Sequence, residues 1–272
     1  MGRYGKERVI LITGTSSGIG NACASRLTRD GYRVYGASRQ AQCQTENFTP
    51  LVMDITDDRS VRDGVGRVLN ETGRIDVLIN NAGIGIAGAI EDCSIDEVKR
   101  QFETNFFGTF RVCKAVLPAM RRKRDGTIIN MSSIAGIIAL PYQAIYSASK
   151  FAIEGMTEGL RMEVQPFGIR VVLLEPGDFR TNFTQNRIKT RGSRDSPYGD
   201  QFRRTLSIME RDELSGPTPE AIAAQVTRIL QMKSPKARYK AGSLVQQMAP
   251  AAKKLLPSSL FDRMLRAIYD LE

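Results

Sequence analysis

Six short apolar segments recur along the chain, each about as long as a β-strand, and amphipathic stretches of helical length separate them. Short apolar runs that alternate with helices are typical of a parallel sheet covered on both faces, with right-handed crossovers. A seventh, less apolar segment follows near the C-terminus. We therefore expect a doubly wound α/β fold with a parallel sheet of about seven strands. The candidate strands are residues 9–12, 33–37, 51–53, 76–79, 127–131, 170–174 and 237–241.

The alternation of strands and helices runs without a linker up to residue 178, which predicts a single domain over residues 1–272. Residues 178–217 lack a clear apolar period, and a stretch of this length is either a lid over a site or a disordered insert; we favour the lid. Its apolar side chains are expected to face a lipophilic substrate, with Gly192, Pro197 and Gly199 as hinges. Residues 243–272 predict a helical extension of two short helices, with a serine near Pro257 as the cap of the second.

The chain contains no histidine, so hydrolysis by Ser-His-Asp or Cys-His groups, zinc held by histidine and imidazole base catalysis are all excluded. Its four cysteines, Cys23, Cys43, Cys93 and Cys113, form no Cys-x-x-Cys pair. We therefore expect mostly buried free thiols and no metal site. No apolar run is long enough to span a membrane, and the N-terminus lacks a secretory signal, so we expect a cytoplasmic protein.

The net charge of +10 can attract nucleic acid, anionic lipid or a phosphorylated ligand, and its sign alone does not choose among them. The basic run Arg121–Arg124 is interpreted as a solvated helix end that complements the helix dipole, so no nucleic-acid partner is predicted. Basic residues also cluster in the lid and at Lys253 and Lys254. This cluster has two open interpretations: it recruits an anionic substrate or a lipid surface, or it serves solubility.

A glycine-rich turn, Thr13–Gly20, joins the first strand to an amphipathic helix. Glycines let the backbone approach a diphosphate closely, and a helix N-terminus offers unpaired N–H groups and partial positive charge. The spacing of Gly14, Gly18 and Gly20 departs from G-x-G-x-x-G, and a tight turn without a ligand is the competing interpretation. In its strand–turn–helix context the motif predicts a dinucleotide site and a Rossmann-like fold.

The second strand ends at Ser38 and Arg39, where a site for NAD would place an Asp or Glu to hold the ribose 2′-hydroxyl. A carboxylate there would repel a 2′-phosphate, whereas a serine hydroxyl and a guanidinium can both donate hydrogen bonds to one. The sequence therefore predicts NADP as the cofactor.

Three further segments lie at or just beyond the carboxyl ends of predicted strands, where open α/β sheets bind ligands: Asn80–Gly83, Met131–Ser133 and the helix that begins near Tyr146. Tyr146 and Lys150 are four residues apart and share one helix face. A nearby ammonium stabilises a phenolate and lowers the pKa of tyrosine toward neutrality. The pair thus predicts proton transfer by Tyr146.

Taken together, these motifs resemble the short-chain dehydrogenase/reductase family over residues 8–182, and Ser133 precedes Tyr146 by that family's usual interval of 13 residues. The stretch from Tyr142 to Pro176 is most similar to the steroid- and retinoid-type, NADP-preferring branch. The resemblance also rests on Asp54, Asn80, Asn81, Ala82, Gly83, Asn105, Pro176, Gly177 and Thr181.

The resemblance implies a catalytic tetrad of Asn105, Ser133, Tyr146 and Lys150. Tyr146 would exchange a proton with the substrate oxygen, and Ser133 would hydrogen-bond that oxygen. Lys150 would hold the nicotinamide ribose and lower the pKa of Tyr146, and Asn105 would fix a water on the proton path. Ser132 is expected to point away from Ser133 because strand side chains alternate.

The loop motif and the resemblance together imply the cofactor contacts. These are Gly14, Ser16, Ser17, Gly18, Ile19, Gly20, Ser38, Arg39, Asp54, Ile55, Asn81, Ala82, Gly83, Asn105, Tyr146, Lys150, Pro176, Gly177, Phe179 and Thr181.

The expected function is NADP(H)-dependent interconversion of an alcohol and its carbonyl on a lipophilic, steroid- or retinoid-like small molecule. The alternatives are a reductase of an acylated, phosphate-bearing ketone and a non-catalytic NADP-binding sensor. Contact with a membrane surface stays open. We also expect a homodimer, because one predicted helix carries an apolar stripe and the Tyr146 helix carries small residues. The stripe is Phe106, Phe110, Cys113, Leu117 and Met120; the small residues are Ala148, Ala152, Gly155 and Gly159.

Overall fold

A computed structural model describes residues 8–40, 48–191 and 196–271. Their main sheet has seven parallel strands in the order β3-β2-β1-β4-β6-β7-β9, so the chain winds outward from β1 in both directions and the predicted α/β fold is confirmed. All seven predicted strands are present. The strands are β1 Val9–Thr13, β2 Arg33–Ser38, β3 Thr49–Val52, β4 Val77–Asn80, β5 Ile86–Ala87, β6 Gly126–Met131, β7 Ile169–Pro176, β8 Ile188–Lys189 and β9 Arg238–Ala241.

Helices cover both faces of this sheet because consecutive strand side chains point to opposite sides. In β1, Leu11 packs into a core layer that includes Met120, whereas Ile10 and Ile12 pack into the other layer beside Leu27. The helices are α1 Gly18–Arg29, α2 Asp58–Thr72, α3 Ile95–Phe102, α4 Thr109–Lys123, α5 Ala144–Val164, α6 Phe183–Asn186, α7 Gly199–Ser215, α8 Pro219–Gln231, α9 Leu244–Leu255 and α10 Ser258–Ile268.

The lid segment, residues 178–217, contains more regular structure than its sequence suggests. It forms α6, then β8, which pairs with β5 in a separate two-stranded sheet, and then α7. Phe202, Leu206 and Met209 are buried at helical spacing along α7, so the prediction that this segment lacks an apolar period is wrong. The predicted hinge Gly192 lies outside the described residues.

The two predicted C-terminal helices are α9 and α10. Ser243 caps α9 through a capping box with Gln246. The predicted serine cap of α10 is wrong, because Pro257 occupies the cap position. No described helix is both long and apolar enough to cross a membrane.

Among the described cysteines, Cys23 and Cys113 are buried free thiols and Cys93 is a half-buried one; Cys43 lies outside the described residues. Within the same residues, no group of three or more Cys, Asp or Glu side chains is arranged to hold a metal ion.

Candidate active site

The carboxyl ends of β1, β4, β6 and β7 open into a cavity of about 1010 Å³. This is the edge at which open α/β sheets bind ligands. Nearly every predicted site residue lines it; Gly20 and Asn105 lie behind its wall. The lining includes Gly14, Ser16, Ser17, Gly18, Ile19, Ser38, Arg39, Asp54, Ile55, Asn81, Ala82, Gly83, Ser133, Tyr146, Lys150, Pro176, Gly177, Phe179 and Thr181.

The glycine-rich turn packs so tightly that two of its glycines admit no side chain. Gly14 has φ +72°, and a Cβ there would lie 2.7 Å from the Cα of Ala82. A Cβ on Gly20 would lie 2.2 Å from the carbonyl oxygen of Gly14. Gly20 therefore has to be a glycine for the turn to close, and its predicted contact with the cofactor stays a prediction.

Hydrogen bonds lock this turn to the end of β4. The Asn81 side chain donates to the carbonyl oxygens of Thr13 and Gly14, both at 3.0 Å. The Thr13 hydroxyl accepts from the backbone N–H groups of Asn81 at 3.0 Å and Ala82 at 3.1 Å. Beyond the turn, Ser17 caps α1 without a side-chain hydrogen bond, and the first turn of α1 carries no acidic residue. The first N–H groups of α1 and the open backbone cradle therefore suit the diphosphate of a dinucleotide.

Two arginines stand at the far end of the cavity. Arg39 is exposed, and with Arg100 it also lines an adjoining cavity of about 580 Å³. β2 ends at Ser38 without a carboxylate, and the Ser38 hydroxyl donates to the carbonyl oxygen of Gln40 at 2.7 Å. Arg100 on α3 has no sequence signal that marks it, because only the tertiary fold brings it beside Arg39. This end of the site is suited to an additional phosphate.

Tyr146 and Ser133 meet at the centre of the cavity. Burial raises the pKa of the Tyr146 hydroxyl to about 12, and a hydrogen bond with Ser133 opposes that shift. The Ser133 hydroxyl is held by the backbone: it donates to the carbonyl oxygen of Pro176 at 3.3 Å and accepts from the N–H of Ala135 at 3.1 Å. Ser132, by contrast, is buried, and its hydroxyl lies beside Gly136 and Glu154, so the expected divergence of the two serines is confirmed.

Lys150 lies beside the Tyr146 ring, with its Nζ 5.8 Å from the ring centroid. Its ammonium donates to the carbonyl oxygen of Met131 at 2.9 Å, and burial lowers the pKa of Lys150 to about 8. The expected lowering of the Tyr146 pKa by Lys150 is not found, because desolvation of the buried phenol outweighs other influences there.

Asn105 lies in a π-helical turn, Glu103–Gly108, between α3 and α4. Its side chain accepts from the N–H of Ile84 at 2.9 Å and donates to the carbonyl oxygen of Ile84 at 3.1 Å and to the hydroxyl of Ser149 at 3.0 Å. Asn105 thus ties the loop after β4 to the helix that carries Tyr146 and Lys150. Its predicted role in holding a water stays a prediction.

Beyond Tyr146 the cavity continues between α6, α7 and the two C-terminal helices. The Phe183 ring lies 5.6 Å from the Tyr146 ring, centroid to centroid. Of the predicted lid side chains, Phe202 and Leu206 pack instead against Ala87 and Tyr142, away from the cavity. The apolar lining of this part is Ile134, Ile138, Leu140, Phe183, Ile188, Met209, Val245, Ala249, Leu265 and Ile268.

Carboxylates accompany these apolar residues, and the sequence motifs did not indicate them. Asp178 accepts a hydrogen bond from Gln246, and Glu213 pairs with the buried Arg187. Burial raises the pKa of Asp178 to about 6, with Glu213 and Asp212 adding to the shift. All three carboxylates line the cavity, whereas Arg187 does not. The part of the cavity beyond Tyr146 is therefore apolar with an acidic side.

A family model described as short chain dehydrogenase matches residues 8–192. The 3-ketodihydrosphingosine reductase of Bacteroides thetaiotaomicron is 47% identical over 265 residues, which cover 97% of this chain and 98% of the relative. Dehydrogenase/reductase SDR family member 7B of Bos taurus is 34% identical over 249 residues, covering 86% of this chain and 73% of the relative.

Solved structures agree with this match. A short-chain dehydrogenase from Streptomyces avermitilis superposes with a TM-score of 0.79 at 30% identity, covering 96% of this chain and 98% of that one. A short chain dehydrogenase from Burkholderia cenocepacia, solved in complex with NADP, superposes with a TM-score of 0.71 at 26% identity. The match covers 96% of this chain and 98% of that one.

Proposed function

Since the chain belongs to the short-chain dehydrogenase family and is an oxidoreductase, we propose that it uses NADP(H) to reduce the ketone of a long-chain, amine-bearing lipid. The observation that carries the proposal is the apolar cavity with an acidic side beyond Tyr146. The relative named 3-ketodihydrosphingosine reductase supports the same substrate class, because that name describes a long-chain ketone with an amine at its head.

The residues around Tyr146 are suited to protonate a carbonyl oxygen. With a pKa of about 12, the Tyr146 phenol carries its proton at neutral pH and can donate it. The Ser133 hydroxyl, which accepts from the N–H of Ala135, would turn its one proton from the carbonyl oxygen of Pro176 to the substrate oxygen and orient it. With a pKa of about 8, Lys150 is mostly charged at pH 7, and its charge would stabilise the phenolate that forms.

A dinucleotide fits against the glycine-rich turn, where Gly14 packs closely on Ala82, and against the N-terminus of α1. A nicotinamide dinucleotide bound there supplies the hydride for reduction of the substrate. Arg39 and Arg100 would bind the 2′-phosphate that distinguishes NADP from NAD, and no carboxylate follows β2 at Ser38 and Arg39 to repel it.

The acidic side of the cavity argues against the phosphate-bearing ketone. Asp178 and Asp212 would repel an anionic group and attract an ammonium, whereas the charge of Glu213 is compensated by Arg187. Steroid- and retinoid-type ketones fit the apolar lining but have no cation for these carboxylates. A pure NADP sensor is disfavoured, because binding alone does not need Tyr146 and Ser133 together.

The direct test is NADPH oxidation at about 340 nm with a substrate panel. The panel contains 3-ketodihydrosphingosine, its N-acetyl derivative, a steroid ketone, retinal, an acyl-dihydroxyacetone phosphate and a small aldehyde. We expect the free amine to have the highest kcat/KM, and its N-acetyl derivative, which lacks the positive charge, to lose at least about tenfold. Tight NADPH binding without turnover of any member would instead support the sensor.

The remaining finer predictions concern assembly and location. We propose that the protein is a homodimer, with α4 and α5 as the contact. Cys113 and Met120 of the predicted stripe are buried in the chain's own core, whereas Phe110 of that stripe is exposed. The exposed apolar face consists of Phe110 together with Phe107 and, on α5, Phe151. A cytoplasmic location and closure of the lid stay predictions.

A further inference from the structure

The outer face of α9 is apolar and exposed. Leu244, Val245, Met248 and Leu255 have 76%, 75%, 68% and 83% of their surface accessible. Leu244, Met248, Ala251 and Leu255 follow one another at intervals of four, three and four residues, so they form a single stripe along the helix. We call Leu244, Val245, Met248, Ala251 and Leu255 the α9 stripe. An exposed apolar surface of this kind marks an interaction site.

The helix that carries the α9 stripe is held in place by its packing and by its N-terminal cap. Ala249, Ala252 and Leu256 pack against a buried cluster that contains Ile134 and Ile138. At the start of α9, Gln246 completes the capping box with Ser243 and also donates to Asp178. The α9 stripe is therefore exposed because it lies on the outer face of a helix that is packed against the protein, and not because the helix is detached.

The stripe borders the entrance of the substrate cavity. Val245 belongs to the stripe and also lines the cavity. On the neighbouring helix α10, Ile268 is 51% exposed and lines the cavity as well, and Met264 is 43% exposed. An occupant that covered this apolar surface would therefore lie against the entrance through which a long-chain substrate reaches Tyr146.

Charge near the stripe favours an anionic occupant. Four exposed basic residues lie on α9 and α10: Lys253, Lys254, Arg263 and Arg266. Only Asp262 and Asp270 oppose them on the described part of residues 243–271, and Asp270 is paired with Arg204 of α7. Exposed apolar side chains with adjacent cations on one helix are the pattern of a helix that lies in a bilayer interface.

We propose that the α9 stripe docks this protein on the surface of an anionic bilayer, so that the cavity entrance faces the lipid from which the substrate is drawn. This proposal rests on the proposed lipid substrate. The membrane contact has its own readout, which does not depend on turnover.

The test is co-sedimentation of the purified protein with vesicles. One set is phosphatidylcholine alone, and the other contains about one part phosphatidylglycerol to three parts phosphatidylcholine. We expect the parent protein to bind the anionic vesicles, to bind the neutral ones more weakly, and to be released in part by salt. The double variant Met248→Gln/Leu255→Gln should lower the partition coefficient at least about tenfold.

The matched control is Ile90→Gln/Ile95→Gln, which removes two isoleucines that are 67% and 66% exposed on a different surface. It should bind vesicles as the parent does. Equal losses in the two double variants, or no binding of the parent to either vesicle, would overturn the proposal. A larger assembly in light scattering that Met248→Gln/Leu255→Gln dissociates would also overturn it, since a second copy would then cover the stripe.

Turnover of a detergent-dispersed substrate separates this proposal from the proposed function. Met248 and Leu255 do not line the cavity, so their variant should keep the parent's kcat in detergent and lose activity only when the substrate is in vesicles. If the parent were active in detergent but did not bind vesicles, the membrane-docking proposal would be rejected and the proposed function would stand. Vesicle binding with no turnover of any ketone would reject the lipid reductase alone.

Discussion

The carboxylate of Glu154 lies one helical turn beyond Lys150 on α5, and both side chains are buried. Arg238, on the edge strand β9, donates to Glu154 and, at 2.6 Å, to Glu175. The carboxylate next to Lys150 is therefore held in place by the edge strand of the sheet. Burial lowers the pKa of Lys150 to about 8, and the negative charge of Glu154 opposes that lowering. Glu154 is thus a positioning residue that helps Lys150 keep its charge.

Removing this carboxylate should shift the pH dependence of turnover. If Lys150 acts as the ammonium, activity falls as pH rises through its pKa, and Glu154→Gln lowers that pKa further. We expect the fall in kcat on the alkaline side to move by about one pH unit toward neutrality. The control is Glu158→Gln, which removes a half-exposed partner of the same Arg238. Identical pH profiles for parent and Glu154→Gln would contradict the role of Glu154.

Tyr146→Phe tests the proton donor. The ring keeps its packing against Phe183 while the hydroxyl is lost, so we expect kcat to fall by about 10²- to 10⁴-fold. NADPH affinity should change little in a fluorescence titration. Tyr142→Phe is a matched control, because the Tyr142 hydroxyl bonds Gln201 and the residue does not line the cavity. Retention of more than a few per cent of the parent kcat would mean that another group donates the proton.

Arg39→Asp tests the choice of cofactor. A hydrogen bond between charged groups contributes about 1.5 to 3 kcal/mol, so losing it and adding a carboxylate should weaken NADPH binding at least about tenfold. NADH binding should strengthen, because the new carboxylate can accept from the ribose hydroxyl. Arg62→Asp, at an exposed position on α2, should leave both dissociation constants unchanged. Equal dissociation constants for NADPH and NADH in the parent would contradict the NADP preference.

The parts of this molecule that were predictable from sequence are those in which local pattern and burial agree. A central strand of a parallel sheet is buried on both faces, so Val9–Thr13 and Val77–Asn80 are recognisable as short apolar runs. The helix α7 was missed because charged residues occupy most of its surface and obscure the spacing of Phe202, Leu206 and Met209.

Features that depend on distant parts of the chain were not predictable. Arg100 lines the same cavity as Arg39 only because of the packing of α3, and the pairing of β5 with β8 joins segments about a hundred residues apart. The spacing of Tyr146 and Lys150 indicates that they share a helix face. It does not reveal that burial raises one pKa and lowers the other, because desolvation depends on the whole fold.

Asp178→Asn should make the protein more stable at neutral pH. The pKa of Asp178 in the folded protein is about 6, above the usual value of an aspartate, so the folded state favours the protonated form. The contribution of the protonated carboxyl to the free energy of unfolding is fully present below about pH 4 and is lost as pH rises through 6. By pH 7 this loss lowers the free energy of unfolding by about 1 to 3 kcal/mol. The variant should therefore gain stability over the parent as pH rises from 4 to 7. Urea unfolding at several pH values measures this, and a stability difference that does not change with pH would contradict it.

Light scattering tests the homodimer and its contact surface. Phe107, in the π-helical turn before α4, and Phe110 of α4 are 45% and 47% exposed, and Phe151 of α5 is 41% exposed. On α5, nothing lies within 4 Å of a Cβ placed on Gly155 or Gly159, so a second copy can approach this helix closely. We expect the parent to have twice the chain mass of 30.1 kDa at micromolar concentration and Phe110→Glu to have the chain mass. Ile95→Glu, at a residue 66% exposed on a different surface, should stay dimeric. A parent protein that scatters as a single chain, or a Phe110→Glu variant that stays dimeric, would show that α4 and α5 do not form the contact.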